Sequence, residues 1–175
     1  MADDSAPEAE ARFREVFAHL PEVVAYARRR GSRDPEAVGA EVLTIAWRKL
    51  AEVPADDARP WLFATARNLL LAEWRKASAA DGREEIPETT LEAGPESQIL
   101  DPELKRCLRA LSVRDREALL LVAWEDLTPA LAARSLGVSQ AAFRVRLHRS
   151  RKRLRRLLEE GEGTAAVPQL EVEKS

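Results

Sequence analysis

Apolar residues recur at helical spacing almost from the start of the chain. Phe13, Val16, Phe17 and Leu20 fall three and four apart, and Val23, Val24 and Ala27 continue the pattern. Pro21 interrupts it, so the helix kinks there or a second one begins. Gly31-Ser32 is a break. Asp34-Pro35 then joins an N-cap to a residue suited to the first helical position. Val38, Val42, Leu43, Ile45, Ala46 and Leu50 give the helix that follows an apolar face, and Trp47 is expected in the core with them. Pro54 closes this helix, Val53–Arg59 reads as a polar loop, and Pro60 opens another helix running to about Ser78.

Residues 79–100 are rich in Gly, Pro, Thr and Glu and lack a sustained apolar period, the pattern of a flexible acidic linker. Asp101-Pro102 repeats the cap-plus-proline signature, and Leu104, Cys107, Leu108 and Leu111 mark a short helix. Ser112 caps the next, with Leu119, Leu120, Val122 and Ala123 on its apolar side. Thr128-Pro129 starts a third, carrying Leu131, Ala132 and Leu136. Gly137 should end it in a left-handed conformation, with Val138 plugging the corner. Ser139 caps the last helix, expected to reach Leu158. Residues 1–9 are expected to be disordered and 159–175 a flexible tail. The expected fold class is all-α: two small helical domains (10–78 and 101–158) joined by a flexible linker, the C-terminal one a helix-turn-helix.

Composition agrees. Ala, Leu, Arg and Glu dominate, which favours helix. A single cysteine among 175 residues allows no internal disulfide, which suits a reducing compartment. The acidic opening (Asp3, Asp4, Glu8, Glu10) lacks the basic-then-apolar order of a signal peptide, and no apolar run approaches a membrane span. A cytoplasmic protein with no membrane partner is expected.

Charge sharpens the picture. The net charge is only −2. Yet Asp81, Glu84, Glu85, Glu88, Glu92, Glu96, Asp101 and Glu103 cluster against Arg83 alone. From Arg144 to Arg156 the last helix carries Arg144, Arg146, Arg149, Arg151, Lys152, Arg153, Arg155 and Arg156, and no acid stands between Asp126 and Glu159. Such separation points to a polyanion as partner of the basic part. On that helix Phe143, Leu147, Ser150 and Leu154 share the core side. Val145, His148, Arg149 and Lys152 lie roughly opposite, flanked by Arg144 and Arg146, free to enter a major groove. Arginine's fork suits guanine edges and phosphates. Isolated basic faces are usually just solvated, but the cap, the turn and the missing acids together favour DNA. With His19, His148 and Cys107 as the whole supply of soft ligands, no zinc site or other cofactor is expected.

At this point a family resemblance is visible. LRALSVRDREALLLVAWEDLTPALAARSLGVSQAAFRVRLHRSRKRLRRLL resembles the C-terminal promoter-binding domain of bacterial extracytoplasmic-function sigma factors. DPEAVGAEVLTIAWRKL followed by RPWLFATARNLLLAEWRKAS is similar to their polymerase-binding and −10-reading segments. The resemblance implies a non-enzymatic factor that binds core RNA polymerase, brings it to promoter DNA and is held by an anti-sigma factor. It places Ser139, Arg144, Arg146, His148, Arg149 and Lys152 at the −35 element. On the helix after Pro60, Trp61, Thr65, Asn68 and Arg75 share a face with Lys76 at its edge and are expected at the −10 element, and the resemblance implies that the loop Glu52–Arg59 helps form a base pocket. Physically, Asn68 offers donor and acceptor to an extruded base, while Trp61 and Trp74 are equally well read as core. Glu36, Glu41, Thr44, Arg48 and Lys49 are the implied polymerase contacts. The chain departs from the family pattern at Ala37, Ala40 and Gly39, where an acid, a glutamine and an apolar residue are common.

Two rival readings stay open. A helix-turn-helix regulator that never engages polymerase would explain the basic helix but not the N-terminal half. A protein-interaction module would use both domains to clasp another protein. An enzyme is the weakest class, for no phosphate loop, metal cluster or nucleophile–base pair is present at a suggestive spacing.

Overall fold

The computed structural model describes residues 5–80 and 101–165, with side chains over 7–76 and 101–161. Nearly all of the expected linker lies outside the described residues, as does 166–175. Eight α-helices are described: α1 (Ser5–Phe17), α2 (Leu20–Arg29), α3 (Pro35–Arg48), α4 (Arg59–Ala80), α5 (Pro102–Arg109), α6 (Val113–Ala123), α7 (Pro129–Leu136) and α8 (Gln140–Ala165). A 3-10 turn, Leu50–Glu52, follows α3. The fold is all-α, with no strand among the described residues. None of these helices is long and apolar enough to cross a membrane.

Side chains and prolines set the boundaries. Pro21 stands in the first turn of α2, so it begins a second helix. Asp34 accepts the Ala37 amide at 2.9 Å to cap α3. Asp101 accepts the Glu103 and Leu104 amides to cap α5. Ser112 and Thr128 cap α6 and α7 through the amides of Asp115 and Leu131. Two ends differ from expectation. Helix α1 begins at Ser5, inside the segment expected to be disordered, because Pro7, Glu8 and the alanines around them make a competent first turn. Helix α8 runs to Ala165, past the expected end at Leu158, with Glu160 beside Arg156 one turn back.

Helices α1–α4 pack as one group, with α2 and α3 the most extensively apposed; α5–α8 pack as another around α8. The first core holds Val23, Val42, Leu62, Phe63, Ala66 and Leu70; the second holds Leu111, Leu121, Leu127, Ala132 and Phe143. Each fully buried large side chain contributes roughly 1.5–3 kcal/mol. The groups meet where α4 packs on α7. Beside that contact Arg30, 3% exposed, reaches from the end of α2 to Glu117 on α6 (3.1 Å) and Glu125 just beyond it (2.6 Å). Arg29 also pairs with Glu125, and the Tyr26 hydroxyl donates to Glu117 at 2.9 Å. At the rim, Arg134 of α7 holds Asp56 at 3.0 Å.

Gly39 is explained by the α2–α3 approach. A Cβ there would sit 2.7 Å from Val24 Cγ2 and 2.9 Å from Leu20 Cδ1. Gly39→Val should therefore destabilise the protein by about 1–3 kcal/mol through overpacking. A lower urea midpoint with unchanged slope is expected; an unchanged midpoint would show that α2 yields freely.

Candidate nucleic-acid interface

Helices α7 and α8 build the turn that orients the basic face. Gly137 ends α7 at φ 64°, the left-handed cap that glycine adopts without Cβ strain. The amides of Gly137 and Val138 close onto the Arg134 and Ala133 carbonyls. Ser139 then accepts the Ala142 amide at 3.2 Å and starts α8. Val138 does not plug the corner: it is 41% exposed and lines a cleft facing the N-terminal helices. Phe143, Leu147 and Ser150 are buried as the spacing required, the Ser150 hydroxyl donating to the Arg146 carbonyl at 2.9 Å.

The opposite side of α8 is open. Arg144, Val145, His148, Arg149 and Lys152 are exposed, as is Ser139. Arg146 is half-buried and turned toward α6. With Arg149, Arg153 and Arg114 it borders a groove of about 720 Å³ floored by Ala141, Ala142 and Val145. Arg114 was not singled out from sequence, although its position two residues after the Ser112 cap puts it in the first turn of α6, beside α8.

On α4 the five expected −10 residues fall on one side but differ in character. Asn68, Arg75 and Lys76 are exposed. Trp61 is half-buried and packs on the core, and Thr65 spends its hydroxyl on the Trp61 carbonyl at 2.9 Å. Trp74 also packs on the core. The loop before α4 encloses, with Arg12, Glu15, His19 and Glu22, a polar cavity of about 370 Å³. Arg12 donates to the Val53 carbonyl and Arg59 to Asp57 at 2.7 Å, which stiffens the loop. The hydrogen bond from Arg59 holds the Asp57 carboxyl below its ordinary range, and Arg134 does the same to Asp56. Both stay anionic near neutrality. Arg12 and His19 reach this cavity from α1 and the α1–α2 joint, a contact that no local sequence pattern shows.

On α3, Glu36, Glu41, Thr44 and Arg48 are exposed, as is Lys49 at its end. Glu36 pairs with Arg28 at 2.6 Å, Lys49 with Glu52 at 3.1 Å, and the Thr44 hydroxyl donates to the Ala40 carbonyl. Trp47 overturns the expectation of a core position. It is 51% exposed, its ring edge-on to Phe13 at 4.9 Å. The buried arc of α3 is Val38, Val42, Leu43 and Ala46, and Trp47 lies about 100° round the helix from its middle at 3.6 residues per turn.

Among the described residues no group of three or more His, Cys, Asp or Glu could hold a metal. Residues 102–154 match the family described as sigma-70, region 4. No curated protein sequence matches the chain. Among solved structures it is similar to the sigma factor RpoE of Bartonella quintana in complex with the anti-sigma factor NepR, at 27% identity and a TM-score of 0.63, covering 83% of this chain and 95% of that one. It shares the fold of CnrH in complex with the cytosolic domain of CnrY, at 24% identity and a TM-score of 0.59, covering 85% and 88%. With the open basic side of α8 behind a glycine turn, the C-terminal half carries a sigma-70 region 4 domain, and the chain as a whole is similar to a sigma factor, a non-enzymatic protein of transcription initiation.

Proposed function

We propose that this chain is an extracytoplasmic-function sigma factor that binds core RNA polymerase and directs initiation at promoters it reads through two elements. The first domain (10–78) holds polymerase through Glu36, Glu41, Thr44, Arg48 and Lys49 and reads the −10 element through Asn68, Arg75 and Lys76, with Trp61 and Thr65 shaping the site. The second (101–158) reads the −35 element through Arg144, Arg146, His148, Arg149 and Lys152, with Ser139 at the helix start. The observation that carries this reading is the open cationic side of α8 behind the Gly137 turn. An anti-sigma factor is the expected inhibitor, because the similar RpoE was solved with one. Such a complex would act in the cytoplasm.

The chemistry follows from geometry. Arg149 projects from the middle of the open side, where a guanidinium can engage a guanine edge in two parallel bonds. Arg155, farther along, suits the phosphate backbone. The α8 amides beyond Ser139 can receive a phosphate at the helix N-terminus. On α4, Asn68 stands out from the helix with two solvated cations a turn or two away, a fit for an unstacked base and its backbone.

Three outcomes are expected. The purified chain with core polymerase should give specific run-off transcripts from genomic promoter fragments; shifted DNA without transcripts would favour a regulator, and capture of a cellular protein with neither would favour an interaction module. Arg149→Ala should cost about 1–3 kcal/mol on the preferred −35 sequence and little on others, whereas Arg155→Ala should weaken all sequences alike and flatten the salt dependence by about one ion. Equal losses for Arg149→Ala on every sequence would remove it from base reading. Asn68→Ala should slow opening of a duplex promoter while polymerase affinity holds; full activity on duplex DNA would remove Asn68 from the −10 site.

A further inference from the structure

We propose that the cationic cleft between α4, α6 and α8 is a binding site for a nucleoside polyphosphate, which competes with promoter DNA for Arg146 and Arg149. The competition rests on the promoter reading above; the site itself does not. Arg67 of α4, Arg114 of α6 and Arg146 of α8 line a cleft of about 320 Å³. Arg114 and Arg146 also line the adjoining groove of about 720 Å³, where Arg149 and Arg153 join them. None of these five guanidinium groups has an ion pair or hydrogen bond among the described residues.

The acids on the walls do not balance this charge. Glu117 borders the cleft but is already held by Arg30 at 3.1 Å and by the Tyr26 hydroxyl at 2.9 Å. That leaves Asp115, on the wall of the groove, against the five arginines. Nearby arginines are matched instead: Arg29 and Arg30 meet Glu125, and Arg134 meets Asp56. Like charges gathered from three helices repel one another, the more so where water is thinned. Arg67 and Arg146 are both half-buried. An anion placed among them relieves that repulsion.

The lining selects the kind of anion. A guanidinium fork binds phosphate through two parallel bonds. Arginines spread along a cleft and its adjoining groove suit several phosphates in a row better than a single one. Half-buried Leu136 and the 41% exposed Val138 add hydrocarbon to the cleft. A nucleobase can cover that surface, and a guanidinium plane can stack on the base. The cleft falls within the size range of small-ligand sites. It is bounded by both helical groups, so a small molecule enters where a duplex, with a major groove alone about 12 Å wide, does not. Phosphates held by Arg146 and reaching Arg149 would occupy two of the proposed −35 readers.

Titration calorimetry of the full chain with ATP and with GTP, at physiological salt and free of divalent cations, tests the site; sodium tripolyphosphate is the bare-phosphate arm. Saturable binding of at least one nucleotide is expected, several-fold tighter than tripolyphosphate. Arg67→Gln and Arg114→Gln should each weaken it about tenfold or more, as the loss of one charge-assisted bond would. Arg151→Gln removes the same charge from α8 outside both linings and should leave the affinity unchanged. The exposed Arg114 decides the matter if Arg67→Gln loses helical circular dichroism. Absence of saturable nucleotide binding, tripolyphosphate binding as tightly as both nucleotides, or an equal loss in Arg151→Gln would overturn the site. In a mobility-shift assay the nucleotide should displace a promoter duplex from wild type, and about tenfold more should be needed with Arg67→Gln, whose duplex affinity is unchanged. Saturable binding without displacement would overturn the competition and take Arg146 and Arg149 out of a shared surface, while the site stands.

Discussion

The Arg30 guanidinium is nearly sealed from water, and that fact fixes how the two halves of the molecule sit. A buried arginine keeps its charge, so it requires counter-charge and hydrogen-bond acceptors within reach. Burial opposes the charge, but Glu117, the Tyr26 oxygen and Glu125 override it and hold the group well above the ordinary arginine value. The same burial, with Glu117 alongside, pushes the Tyr26 hydroxyl up, so it remains a donor. Tyr26 stacks on Phe63 of α4 at 4.9 Å. The Glu117 carboxylate is thereby tied to the same ring that packs on α4. Removing one partner would leave an uncompensated buried charge, and the positions of α2, α4 and α6 depend on all of them together.

The junction between the two groups and the proposed reading surfaces occupy different arcs of the same helices. On α4, Leu71 and Trp74 border the junction with α6, as do Arg67 and Leu70. At 100° per residue these centre about 100° from Asn68 and Arg75. On α8, Arg146 faces the junction while Arg144 and His148 face away, and Arg149 stands on the groove side beside Arg146. Closure therefore leaves most of the proposed DNA chemistry solvated. What it constrains is the distance between the two proposed groups of contacts.

Much of this was legible in the sequence because it is local. Asp34, Asp101, Ser112, Thr128 and Ser139 cap helices within three residues of themselves, and Gly137 needs only its own dihedral. The apolar and cationic sides of α8 follow from period alone. What was not legible depends on neighbours far along the chain. Trp47 looks like core by residue type, yet the arc that α3 buries is filled without it. Val138 would plug a corner in an isolated turn, but here the turn borders another group of helices. No local pattern marks Glu117 and Glu125, to which Arg30 is brought from across the fold.

The departures at Ala37, Ala40 and Gly39 separate into two kinds on the same physical grounds. Gly39 is structural, since α2 occupies the space that a side chain would take. The two alanines are not. The Ala37 amide serves the Asp34 cap and the Ala40 carbonyl receives the Thr44 hydroxyl, both backbone roles that any residue there could fill. Their methyl groups are exposed, and nothing in α3 leans on them. A polar side chain at either position would therefore add little to the stability of the helix and would act outward. The same outward surface carries the half-exposed Trp47 ring. A partner docked on α3, as proposed, would thus meet fewer hydrogen-bonding groups and more hydrocarbon than the family pattern would supply, and the apolar share of that contact would rise at the expense of its polar share.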